Sequence, residues 1–190
     1  MSTQPRGTDV VQYMIRSKEL AWAAGVFDLS AHLVLYQRDR FMPNWSPRIV
    51  LRSDRELPVE EFKRVVGVGS VSRPHSRTFR WTVSGAKGCL ESLDMLDSDR
   101  IVRFPGEREF RDYCDLVRRP RPVRDRTLTE VECLERTAHF CDWMKARLRM
   151  PSNADPARVM GSIRSTGTLN SWVSSAAVTR AYVGTGIPPF

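Results

Sequence analysis

Lysine is almost missing from this basic chain. Of its 30 Lys and Arg residues, only Lys18, Lys63, Lys87 and Lys145 are lysine. Charge itself is not scarce: the net value is +8 and the sequence pI about 9.8. That balance disfavours acidic-surface roles and directs attention to phosphate-bearing partners. Arginine in such excess has two sources, a GC-rich genome and phosphate recognition by a planar fork. No long apolar run is present, so the reading has no membrane partner and no secretory signal. The first eighteen residues carry Arg6, Arg16 and Lys18 against Asp9 alone, a balance compatible with a mitochondrial presequence; the compartment is otherwise unassigned. The few cysteines, Cys89, Cys114, Cys133 and Cys141, fit neither a zinc ribbon nor a finger, and Cys133, His139 and Cys141 lack an evident fourth ligand. They read as buried thiols of an intracellular, reducing compartment. His32 and His75 have no partners for nucleophilic catalysis, and no metal site is expected. A hydrophobic content of 41% supports a folded core.

What is present begins with Leu20-Ala21-Trp22-Ala23-Ala24-Gly25-Val26-Phe27-Asp28-Leu29-Ser30. Ala21, Ala24, Gly25 and Asp28 recur every three or four residues and share a helical face on which small side chains admit a second backbone. Leu20, Val26 and Phe27 lie elsewhere, suited to packing on a sheet. Ser17 is the expected N-cap, with Glu19 in the first turn. Alternation then predicts strands over 31–37 and 47–52. A short helix is expected over 58–66, a strand start at Gly67-Val68-Gly69-Ser70-Val71, and a strand over 77–83. Helices should follow over 86–96 and 107–117. The Gly-x-Gly-Ser stretch by itself reads equally as a turn or a phosphate loop.

The helix resembles the motif of the LAGLIDADG homing endonucleases in its form W-L-A-G-F-x-D-x-D-G, matching at Trp22, Ala24, Gly25, Phe27 and Asp28. Gly67–Val71 resembles the family's G-x-G-S-[IV] strand start. Phe79, Trp81 and Val83 match the strand that follows. The resemblance covers 17–118 and implies an α+β fold: a LAGLIDADG-type αββαββα half-unit with a saddle-shaped antiparallel sheet. It also implies that Ala21, Ala24, Gly25 and Asp28 pair with a second LAGLIDADG-type subunit, identical or paralogous, since the motif occurs once. Two departures stand out. Where the family places its metal-binding acid, the chain has Ser30, with Asp28 nearby. Where the family has a lysine after the third helix, Arg103 is the nearest equivalent, and arginine is a poor proton-transfer group. The expectation is therefore no catalytic residue and no cofactor, with magnesium required only if the chain is still an active nuclease.

The domain reading is an N-terminal extension 1–16, a LAGLIDADG-like domain 17–119, a basic linker 120–126, an amphipathic helix 127–150 and a tail 151–190. Thr127-Leu128-Thr129-Glu130 offers a capping box. Leu128, Val131, Leu134, Ala138, Cys141, Met144 and Leu148 form the expected apolar stripe. The Ser-, Thr-, Gly- and Ala-rich tail predicts no fixed structure.

Arg38, Arg48, Arg52 and Arg80 lie on the polar faces of the predicted strands, with His32 beside them. Arg73 and Arg77 extend that face, and Arg103 joins the set through the resemblance. Four strands carrying arginine outward read as a phosphate-binding surface. Three functions compete. The first is a non-cleaving structural RNA-binding component of a ribonucleoprotein, of the organellar ribosome or intron-maturase type. The second is a double-stranded DNA-binding regulator or a still-active homing endonuclease. The third is a protein-binding structural subunit. Sequence reasoning favours RNA over duplex DNA.

Overall fold

The computed structural model describes residues 7–37, 42–119, 128–150 and 152–166. The order is α1 (Gly7–Ser30), β1 (Ala31–Gln37), β2 (Trp45–Ser53), α2 (Glu56–Val66), β3 (Ser70–His75), β4 (Thr78–Ser84) and α3 (Ala86–Leu96). Three further helices follow: α4 (Glu107–Arg118), α5 (Glu130–Ala146) and α6 (Pro156–Thr166). The first seven elements give the expected αββαββα order. The strands form one four-stranded sheet in the order β1-β2-β4-β3.

The first helix differs from its expected start. It begins at Gly7 and runs 24 residues, so Ser17 lies exposed within it and caps nothing. No proline or glycine stands between Gly7 and Gly25 to interrupt it.

The sheet is antiparallel where β2 meets β4 and where β3 meets β4. β3 lies at the edge, which is where Pro74, lacking an N–H, is tolerated. Its pairing shifts between Ser72 and His75. The Gly-x-Gly stretch proves to be a packing device. Gly69 has φ +86, and a Cβ there would lie 2.5 Å from Trp81 Nε1. That indole donates to the Val68 carbonyl at 2.8 Å, so the glycine makes room for the ring beneath it.

The chain divides into two compact units, residues 1–34 with 48–104, and residues 35–47 with 105–190. This division differs from the expected boundary at 119, because α4 groups with α5 and α6. The first unit is centred on aromatics. Phe27 stacks on Phe62 at 6.2 Å, and Phe62 meets the edge of Trp81 at 4.9 Å. Ile49, Leu51, Leu93 and Leu96 close around them. Burying each Phe contributes about 1.5–3 kcal/mol.

In the second unit, Trp45 stacks on Phe140 at 4.3 Å, and Tyr113 donates to the Trp45 carbonyl at 2.8 Å. Burial pushes the Tyr113 hydroxyl up to about 12. Helix α5 starts with a capping box, but two residues later than expected. Thr129 Oγ1 accepts from Glu132 N, and Glu132 accepts from Thr129 N; Thr127 lies outside the described residues. Its buried face is Cys133, Thr137, Phe140, Cys141 and Trp143. The expected stripe is out of phase: Val131, Leu134 and Leu148 are exposed, because the large rings of Phe140 and Trp143 decide which side turns inward.

The tail also departs from expectation. Asp155 accepts from Ala157 N and caps α6, with Pro156 in the first turn. Val159, Met160 and Ile163 bury its inner face. The linker 120–126 and residues 167–190 lie outside the described residues. Cys89, Cys114, Cys133 and Cys141 are buried free thiols. No described helix is long and apolar enough to cross a membrane.

Candidate nucleic-acid interface and helix end

Alternation assigns the two sheet faces. Ile49 and Leu51 on β2 pair with Val83 and Trp81 on β4 and face the core. The opposite face carries Arg48 and Arg52 on β2, Arg80 and Thr82 on β4, and Ser70 and Ser72 on β3. The register sets Arg52 directly opposite Arg80, with Ser72 beyond it, and Arg48 opposite Ser84. Like charges facing each other across antiparallel strands destabilise a sheet by themselves. Arg80 Nε lies 3.4 Å from Ser72 Oγ. Arg48, Arg52 and His32 are half-buried and also hold contacts within the protein.

Arg73 and Arg77 are exposed at the β3–β4 end. Arg73 donates to the Ser76 carbonyl at 2.5 Å and lies 5.2 Å over the Phe79 ring. Arg38 lies outside the described residues. Arg103 is not on the sheet: it follows α3 and is ion-paired with Asp97.

At the C-terminal end of α1 the chemistry is different. Asp28 Oδ1 accepts from Arg100 Nε at 2.8 Å, while Oδ2 accepts from Ile101 N at 2.9 Å and Val102 N at 3.0 Å. The Asp28 side chain is 7% exposed and that of Arg100 is 0% exposed. Burial pushes the carboxyl up, but the hydrogen bonds from Arg100, Val102 and Ile101, with the charge of Arg100, outweigh it. The net pKa lies below the ordinary carboxylate value. The guanidinium sits 4.9 Å from the Phe27 ring and 5.0 Å from the Phe104 ring, and it donates to the Val102 carbonyl at 2.8 Å. Sequence reasoning does not single out Arg100. A loop arginine carries no periodic signal, and only the fold brings it to Asp28.

The small-residue face of α1 needs correction. Ala21 and Gly25 are exposed, but Ala24 is fully buried and Asp28 is turned to Arg100. A helical stripe has two edges, and the Ala24–Asp28 edge packs inward. The outward row carries Met14, Ile15, Trp22 and Leu29 besides Ala21 and Gly25. A Cβ on Gly25 would meet nothing within 4 Å. Beside this row, Lys18, Glu19, Trp22, Leu57, Pro58 and Glu61 line a groove of about 510 Å³. Arg64 bridges Glu19 and Glu61 at 2.5 and 2.7 Å.

No family model matches the sequence, and no curated protein matches it. Solved structures do resemble the fold. The homing endonuclease I-CvuI superposes with a TM-score of 0.60 at 10% identity, covering 81% of this chain and 97% of that one. The archaeal intron-encoded homing endonuclease I-Vdi141I gives 0.55 at 15% identity, covering 80% and 96%. The LAGLIDADG meganuclease I-CpaMI gives 0.50 at 11% identity, covering 78% and 57%. This chain has the LAGLIDADG fold. Helix α1 carries the residues that resemble the family motif, and its last residue is Ser30. The other candidate residues fall into separate places. Arg48, Arg52 and Arg80 share one LAGLIDADG sheet face, Arg73 and Arg77 lie at its edge, and Arg103 lies beyond α3.

Proposed function

We propose that this chain binds duplex nucleic acid along the polar face of its sheet, as one half of a paired assembly, and does not cut it. The opposition of Arg52 and Arg80 carries the reading. Two arginines at directly paired positions of β2 and β4, with Arg48 further along the same face, form an arrangement that a polyanion stabilises. Ser70 and Ser72, exposed on the neighbouring β3, supply neutral donors for phosphate and base edges.

Pairing is supported by the exposed Ala21–Gly25 row and by chain length. One copy of this chain covers nearly all of I-CvuI but 57% of the longer I-CpaMI, so the longer protein leaves room for a second such unit. The absence of cleavage rests on Ser30, whose neutral hydroxyl is a poor ligand for a hard cation, and on the commitment of Asp28 to Arg100.

Duplex DNA is the favoured ligand over structured RNA, because I-CvuI is solved in complex with a DNA target and I-Vdi141I complexed with DNA. The test is native purification followed by sequencing of whatever nucleic acid is retained. An enriched duplex site bound with a steep salt dependence supports the proposal. Ribosomal or intron RNA would move the chain to a ribonucleoprotein role. Survival of a protein complex after nuclease digestion, with no bound nucleic acid, would overturn both.

A further inference from the structure

A nuclease of the LAGLIDADG kind holds a divalent metal at the C-terminal end of the motif helix. The residues at this helix end do not fit one. Ser30 offers a neutral oxygen. Both Asp28 oxygens are engaged by Arg100 Nε, Ile101 N and Val102 N, in a side chain 7% exposed. Magnesium keeps several of its waters and requires near-octahedral oxygen ligands, and the enclosed carboxylate has no room for that shell. Among the described residues no group of three His, Cys, Asp or Glu is placed to hold a metal. The clamp is flanked by apolar side chains, with Ile101 94%, Leu29 89% and Val102 49% exposed.

We propose that the Arg100 guanidinium is a built-in substitute for a bound cation at this helix end. It neutralises Asp28, draws the 100–102 segment onto α1 through that carboxylate, and is itself fixed by Phe27, Phe104 and the Val102 carbonyl. A fork of donors on a planar cation makes directional bonds that a point-like ion cannot. The conformation of the helix end is therefore independent of divalent metal. Its enclosed guanidinium is also withheld from phosphates, so nucleic acid is held by the sheet face and not by the tip of α1. Only this last consequence rests on the nucleic-acid reading.

The test uses the full chain without nucleic acid, so that its failure and the failure of the proposed function stay distinguishable. Thermal unfolding is followed in EDTA and in magnesium or manganese at matched ionic strength, alongside terbium luminescence sensitised by tryptophan. The wild-type protein should show the same Tm in all buffers and no saturable terbium signal. A saturable rise in Tm or in terbium emission that Asp28→Asn abolishes would overturn the proposal. Arg100→Ala should lower Tm, with partial recovery in millimolar methylguanidinium and none in magnesium; recovery by magnesium would equally overturn it. If Arg100→Ala does not fold, the wild-type titrations and Asp28→Asn decide the matter.

Discussion

Asp28 and Arg100 are 72 positions apart in sequence and 2.8 Å apart in space. They form an enclosed ion pair at the foot of α1, completed by two backbone amides. Breaking such a pair from one side leaves a buried charge without its partner. Arg100→Gln should therefore cost about 3–5 kcal/mol in chemical denaturation. The double variant Asp28→Asn/Arg100→Gln should cost clearly less than the sum of the singles, and additive losses would deny the coupling.

The same pair sets an acid limit. The folded pKa of Asp28 is depressed. Its contribution is fully present above the unfolded carboxylate value, about 3.9. It is lost as pH falls through the lower folded value. Stability should drop below about pH 4 more steeply in wild type than in Asp28→Asn, as measured by Tm against pH.

Arg52 and Arg80 give the opposite prediction for stability and binding. Replacing Arg80 with serine removes the like-charge cross-strand pair and leaves in place the contacts that Arg52 holds within the protein. The isolated protein should lose no stability, or gain about 0.2–1 kcal/mol. Nucleic-acid affinity should fall, and the slope of log K against log salt should shrink by about one for each phosphate that is no longer neutralised. Unchanged binding in the double variant Arg52→Ser/Arg80→Ser would remove the sheet face as the interface.

Gly25 separates folding from pairing. Its missing Cβ would meet open space, so Gly25→Ala should stabilise the isolated subunit by about 0.5–1 kcal/mol. Gly25→Trp should fold yet sediment as a monomer, if α1 meets a second subunit at this row. Sedimentation velocity of the two variants distinguishes the outcomes.

Gly69 tests the support beneath the sheet. A Cβ there combines a left-handed φ with a 2.5 Å clash on Trp81, and Gly69→Ala should cost about 2–5 kcal/mol. Tryptophan fluorescence should shift as the hydrogen bond from Trp81 to Val68 breaks. An unshifted spectrum at full stability would show that the loop absorbs the change.

Much of the fold is legible in the chain because its signals are local. Alternation from Ala31 to Gln37 and from Ile49 to Arg52 places the core face of each strand. The helical period places α2, α3 and α4 within a residue or two. The motif residues Trp22, Ala24, Gly25, Phe27 and Asp28 are enough to anticipate the LAGLIDADG fold. Signals weaken where composition misleads. Ser17 looks like a cap and so hides the earlier start of α1. Helix α6 is concealed in a Ser- and Gly-rich tail, and its ordering depends on burying Val159 and Ile163.

Tertiary structure alone decided the remainder, since it concerns pairs distant in sequence. Periodicity says that Arg52 and Arg80 point away from the core; only strand register says that they oppose each other. It says that Ala24 and Asp28 share a face with Gly25; only packing turns them inward. Nothing local joins Arg100 to Asp28. That pair exists because α3 ends where the 100–102 backbone meets the foot of α1, and a buried carboxylate there requires both a cation and amide donors.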